Sequence, residues 1–218
     1  MKKTILFSLI TVTTVLSVIT AKAQQGFYMG AASARQLSVM FSATDVDKPT
    51  ADYQSRLGKM IGINGGYNFS NSMGIGVEVN YSRSKQRYTD NSTEFTHEYR
   101  YLKIPVMFTY NSDPERKFIF TAKAGPQLGI LLKSRIKDAT ADVTNGSNMD
   151  KYKKTTFGMA AGAGVRMRMG SHLYLDAGVR ADGTFSNTED KSYKNYVAGR
   201  SKTHDLNGGI EVGVKYFF

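Results

Sequence analysis

Phe157-Gly158-Met159-Ala160-Ala161-Gly162-Ala163-Gly164-Val165-Arg166-Met167-Arg168-Met169 is the stretch that decides the fold. Its odd positions carry Phe, Met, Ala, Ala, Val, Met and Met, and its even positions carry Gly, Ala, Gly, Gly, Arg and Arg. A period of two means a β-strand with two chemically different faces, because successive side chains point to opposite sides. The next segment repeats the pattern: Leu173, Leu175, Ala177, Val179 and Ala181 alternate with Tyr174, Asp176, Gly178, Arg180 and Asp182. Ile75, Val77, Val79 and Tyr81 alternate with Gly74, Gly76, Glu78, Asn80 and Ser82. Near the end, Leu206, Ile210, Val212, Val214, Tyr216 and Phe218 alternate with Asn207, Gly209, Glu211, Gly213 and Lys215. Less regular alternation over 26–36, 58–70, 97–110 and 117–133 brings the total to about eight strands.

The connections alternate as well. Long polar stretches fall near 37–57, 87–96, 134–154 and 187–203, and short turns at 70–72, 111–116 and 170–171. Long loops at one end and short turns at the other describe an up-and-down meander, the connectivity of eight-stranded outer-membrane barrels. Composition agrees. The 218 residues suit one domain, and the absence of cysteine excludes a disulfide framework, a thiolate metal site and a thiol nucleophile. Mean hydropathy is −0.34, and outside the first 23 residues no apolar run approaches the roughly 18 that a membrane helix needs.

Alternation alone does not say which face is outside. The greasy parity carries almost only Leu, Ile, Val, Phe, Met, Tyr and Ala, while the other carries glycines and charges. In a narrow barrel the inner face is crowded, so glycine there leaves room for Arg, Lys and Tyr. Aromatics also gather at strand ends. Tyr67, Phe69, Phe108, Tyr110, Phe118, Phe120 and Tyr216 lie by the short turns, and Tyr81, Tyr99, Phe157 and Phe185 lie toward the long loops. Such girdles belong at two bilayer interfaces. Turning Arg166, Arg168, Asp176, Arg180 and Asp182 toward lipid instead would cost on the order of 10 kcal/mol. The expected fold is therefore all-β: an eight-stranded antiparallel transmembrane barrel with its apolar face outward.

The two ends of the sequence carry addresses. Met1-Lys2-Lys3, an apolar stretch over 4–20 and Ala21-Lys22-Ala23 have the anatomy of a cleavable signal peptide. Cleavage after Ala23 would leave residues 24–218 as the barrel domain, with a net charge of +8 once Lys2, Lys3 and Lys22 are gone. An exported barrel with an even strand number has both termini on the periplasmic side. Glu211-Val212-Gly213-Val214-Lys215-Tyr216-Phe217-Phe218 resembles the C-terminal assembly signal that the barrel assembly machinery reads, with Glu211, Gly213, Tyr216 and Phe218 on its positions.

Tyr101-Leu102-Lys103-Ile104-Pro105-Val106, Gly125-Pro126-Gln127-Leu128-Gly129 and Glu78-Val79-Asn80-Tyr81-Ser82 resemble stretches of the PorT-like outer-membrane β-barrel proteins of Bacteroidota-type bacteria. Lys103 departs from the acid that the family often carries there. The resemblance implies the fold and an outer-membrane location. It implies activity poorly, although some members serve protein secretion.

The inward parity collects Glu78, Asp176, Asp182 and Glu211 with Lys103, Lys123, Arg166, Arg168, Arg180 and Lys215. Side chains just fill an eight-stranded barrel, so these charges are expected to pair across the axis as a structural network that plugs the lumen. The competing reading is a narrow porin or ion path through the same polar core. The histidines are His97, His172 and His204. His97-Glu98 and His204-Asp205 fall near the long-loop rim, but neighbours in a strand face opposite ways, so neither makes a general-base pair. No catalytic, cofactor or metal site is expected. Arg135, Lys137, Lys151, Lys153 and Lys154, with Lys191, Lys194, Arg200 and Lys202, would lie beside lipopolysaccharide phosphates. Expected partners are therefore outer-membrane lipid, lipopolysaccharide, the barrel assembly machinery and, as an alternative role, a secretion apparatus; export leaves no place for nucleic acid.

Overall fold

A computed structural model describes residues 25–42, 52–90, 93–113, 115–138, 144–147, 152–188 and 202–218. The proposed leader and the loop cations Lys151, Lys191, Lys194 and Arg200 lie outside the described residues. The described residues form nine strands: β1 Gly26–Ser42, β2 Asp52–Asn68, β3 Met73–Asp90, β4 Thr93–Asn111, β5 Phe118–Asp138, β6 Thr144–Ser147, β7 Thr155–Arg168, β8 Leu173–Thr184 and β9 Thr203–Phe217. Eight of them close a ring of antiparallel pairs in the order β1-β2-β3-β4-β5-β7-β8-β9, with β9 returning to β1. The short β6 pairs with β5 at Arg135–Lys137, beyond the point where β7 leaves that edge.

The register fixes the shape. Stepping sideways from Phe27 through hydrogen-bonded neighbours leads to Tyr67, Ile75, Phe108, Ala124, Ala161, Ala181 and Gly208. Gly208 faces Leu37, so the circuit returns to β1 ten residues past its start at Phe27. Ten steps of about 3.3 Å against eight spacings of about 4.8 Å tilt the strands by about 40° from the axis. That stagger leaves a bore that side chains fill.

Burial is inverted relative to a water-soluble protein. Ile63 and Ile210 are 66% exposed and Val179 63%, whereas Arg180 is 1% and Lys103 2% exposed. Tyr67, Phe69, Phe108, Tyr110, Phe118, Phe120 and Tyr216 stand outward toward the short-turn end, and Phe157 and Phe185 outward toward the other. Tyr99 is a correction to the expected girdle. It is buried inside with Tyr101, Leu131 and Tyr152, because its parity is that of Tyr101 and Lys103.

The expected loops are also corrected. β1 runs to Ser42 and β2 starts at Asp52, so much of 37–57 is strand; β3 and β4 leave only 91–92 between them. Part of 134–154 is strand too, since β5 reaches Asp138 and β6 follows. Past the bilayer both faces of a hairpin meet water, so the apolar alternation stops while backbone pairing continues. Irregularities between Arg56 and Lys59 and at Arg100/Tyr101 further blur the pattern.

Candidate functional site

The lumen charges fall into three tiers along the axis. At the short-turn end, Tyr28, Ile119, Tyr174 and Phe217 make an apolar floor. Tyr28 reaches across β2 and β3, where Gly66 keeps space open; a Cβ there would stand 2.6 Å from the Tyr28 hydroxyl. On this floor Arg166 donates through Nε to Asp176 at 2.7 Å and through Nη1 to Asn111 at 3.1 Å. Lys215 meets the same carboxylate at 3.2 Å and lies 4.9 Å above the Tyr28 ring centre.

The middle tier crosses the barrel. Glu78 on β3 and Arg180 on β8 stand four strands apart on a ring of eight, directly opposite, and meet at 2.6 Å. Arg180 Nη1 also reaches Glu211 at 3.1 Å. Lys123 on β5 closes the square, with Nζ 2.9 Å from Glu78 and 2.6 Å from Glu211. Asn80 donates to the second Glu78 oxygen at 2.9 Å. Two bases and two acids thus share four contacts, and glycines such as Gly162 and Gly164 beside them leave the room those long side chains need.

In the upper tier Lys103 binds Asp182, with Asp205 3.8 Å away. Asn207 donates to Asp182 at 3.1 Å and to Asp205 at 2.9 Å, and Gln36 donates to Asp182 at 3.3 Å. Across the three tiers five carboxylates (Glu78, Asp176, Asp182, Asp205, Glu211) face five bases (Lys103, Lys123, Arg166, Arg180, Lys215). The formal charges cancel, as they must in a site screened from water.

Arg168 lies at the short-turn end, its guanidinium 5.8 Å over the ring of the floor residue Tyr174. One assignment changes. Asp205, read from the sequence as a rim residue, is 5% exposed and belongs to the upper tier. Its signal was available: it shares parity with Asn207 and Glu211. Its neighbour His204 turns the other way, with Nδ1 2.9 Å from the Thr184 carbonyl. His97 Nδ1 meets the Tyr99 hydroxyl at 2.8 Å, and His172 Nδ1 meets the Phe217 carbonyl at 2.9 Å. Among the described residues no group of His, Asp and Glu is arranged to hold a metal ion.

Of the chain-end residues, Glu211 serves the middle tier, while Tyr216 faces outward with its ring 5.2 Å from Phe218. Gly213 lies against Ala32 of β1 at the seam where the ring closes.

A closed ring with a charged core and an aliphatic, aromatic-girdled exterior is the architecture of a transmembrane β-barrel. Over residues 22–180 the sequence matches the outer membrane protein beta-barrel domain family, and the chain belongs to that family of the outer membrane. Solved barrels of the same shape include OprG from Pseudomonas aeruginosa (10% identity, 89% of this chain and 98% of that one, TM-score 0.51). Outer membrane protein W from E. coli matches at 13% identity over 91% of this chain and all of its own (TM-score 0.50). AlkL, solved in lipid bilayers, matches at 13% identity over 91% and 93% (TM-score 0.50). These likenesses speak for the fold. No curated protein matches the sequence.

Proposed function

We propose that this chain is a non-enzymatic outer-membrane barrel whose ion-paired core keeps the lumen shut and whose long-loop end serves structural or surface-interaction roles. The observation that carries the reading is the middle tier, where Arg180 reaches across the full bore to Glu78. Between that tier and the floor, the void lined by Asn111, Lys123, Arg166, Asp176, Glu211 and Lys215 measures about 30 Å³. That is room for a water or two and too little for a hydrated ion.

In this reading the leader 1–23 is removed, both termini face the periplasm and the long-loop end faces outward. The PorT-like assignment is part of the proposal. It is supported by the way its two motifs meet: Ile104 pairs with Leu128 and Pro105 with Gln127, so Tyr101–Val106 and Gly125–Gly129 form one hydrogen-bonded unit. The barrel assembly machinery reads Glu211, Gly213, Tyr216 and Phe218, and lipopolysaccharide surrounds the upper rim.

Purified protein in planar bilayers is expected to give no stable unitary currents; large, steady ones would replace this reading by the narrow-porin one. Export is checked separately. Edman sequencing of the membrane-extracted protein is expected to begin at Gln24, and a sequence starting at Met1 would remove the leader from the account.

A further inference from the structure

The outer wall carries a feature that the lumen does not explain. Arg35 on β1 pairs with Lys59 on β2, Lys59 with Arg83 on β3, Arg83 with Arg100 on β4, and Arg100 with Lys133 on β5. Five cations therefore stand side by side on five neighbouring strands, at the spacing of about 4.8 Å that separates strands. All share the outward parity: Arg35 and Lys59 are exposed, and Arg83, Arg100 and Lys133 are half-exposed. Lys85 and Arg135 extend the patch through their pairing with Glu98. Like charges directly opposite across a ladder are unfavourable, and here four such pairs follow one another.

One acid sits within this set. Glu98 is 4% exposed, held by Arg83 at 2.5 Å and Arg100 at 2.7 Å. Burial pushes its carboxyl up, but the hydrogen bonds and charges of the two guanidiniums outweigh this and its pKa is lowered. It thus fixes two arginines in place and leaves, among the described side chains of this patch, seven bases against one acid. Arg83 Nε is screened from solvent and has no acceptor among the described residues. The patch is set to receive further negative charge.

Its height identifies the source of that charge. Three of the five have an aliphatic or aromatic residue two positions nearer the membrane centre on the same outward parity: Ile61 under Lys59, Tyr81 under Arg83 and Leu102 under Arg100. Because the strands tilt, each step from β1 to β5 stands about 3 Å further from the membrane centre, so the row climbs out of the apolar band at its long-loop boundary. Arg35, the lowest, lies between outward Ser33 and Leu37 and can lay its stem along the wall with its head in the interface. On the other flank, outward Met159, Phe157, Gly183 and Leu206 carry no charge.

We propose that the Arg35–Lys59–Arg83–Arg100–Lys133 row is a binding site for a phosphate-bearing lipid of the outward-facing leaflet. The phosphates bridge neighbouring guanidinium and ammonium groups, and the acyl chains lie on the β2–β4 wall beneath them. Free phosphate would satisfy the charges but would not use that wall. This rests on the outer-membrane orientation proposed above.

The test places the mature barrel in phosphatidylcholine nanodiscs doped with diphosphorylated lipid A and counts retained lipid by native mass spectrometry. Lys59→Gln/Arg83→Gln/Arg100→Gln is expected to weaken retention by roughly a hundredfold. Arg116→Gln/Lys117→Gln, at a short turn, should leave it unchanged. Heat-modified gel mobility reports that each variant is folded. Independently of any variant, wild-type protein should lose retention when the lipid A is dephosphorylated and when salt is raised to 0.5 M. Equal retention by the triple variant or of dephosphorylated lipid, equal loss in the turn variant, or full displacement by millimolar inorganic phosphate would each overturn the inference. Conductance of the same preparation reads the proposed function separately: a silent barrel without lipid retention sinks only the lipid site, and a conducting barrel with retention sinks only the closed lumen.

Discussion

Arg180→Met is expected to lower the unfolding free energy by about 3–5 kcal/mol, the usual cost of leaving a buried charge without its partner. The substitution keeps length and removes a guanidinium that is 1% exposed. Glu78 and Glu211 would then share the single ammonium of Lys123, leaving one negative charge uncompensated in the middle of the bore. Urea unfolding of the refolded barrel in lipid vesicles measures the loss. Adding Glu78→Gln to the same background should recover most of it, because the orphaned charge goes while the hydrogen-bonding shape stays. Arg116, whose side chain is 76% exposed beside Asp113, supplies the control: Arg116→Met should change stability by less than about 1 kcal/mol. A loss at Arg180 no larger than at Arg116 would mean that the middle tier is hydrated.

The second large effect is on the opposite face. Val179 is 63% exposed and lies one position from Arg180, on the lipid side of β8. Val179→Arg is expected to cost about 2–4 kcal/mol in a bilayer, the range for a basic residue near the membrane midplane. In a water-soluble barrel a charge at so exposed a site would be almost free. The same vesicle-based unfolding curve decides between them, with Asn71→Arg, at an exposed short turn, expected to stay within about 0.5 kcal/mol of wild type. A neutral Val179→Arg would mean that lipid does not touch this surface. Paired with Arg180→Met, it makes adjacent positions respond to opposite changes of polarity.

Period two was legible in β3, β7, β8 and β9, because lipid outside and a filled bore inside impose contrasting chemistry on alternate residues. The short turns were legible for a related reason, since Ser70-Asn71-Ser72 and Gly170-Ser171 interrupt the alternation abruptly. Strand ends toward the long loops were not. β3 runs on to Asp90, past the last residue of its apolar alternation, so nothing in the residue types marks where the ladder stops. Tyr99 shows a different failure: an aromatic near a strand end looks like a girdle residue unless its parity is counted from Lys103. The partners were the least legible part. Lys103 meets Asp182 from 79 positions away, and that meeting follows from the ten-residue stagger of the closed ring, which no local pattern encodes.

Strand length has one more outcome. A bilayer needs about 9–11 residues per tilted strand, and β3, β4 and β5 have 18, 19 and 21, whereas β8 has 12. The described backbone is thus a lopsided parapet, rising some 20 Å above the headgroups on one flank and barely clearing them on the other. Of the described backbone, a large molecule approaching from outside would touch the tall β3–β5 crest first.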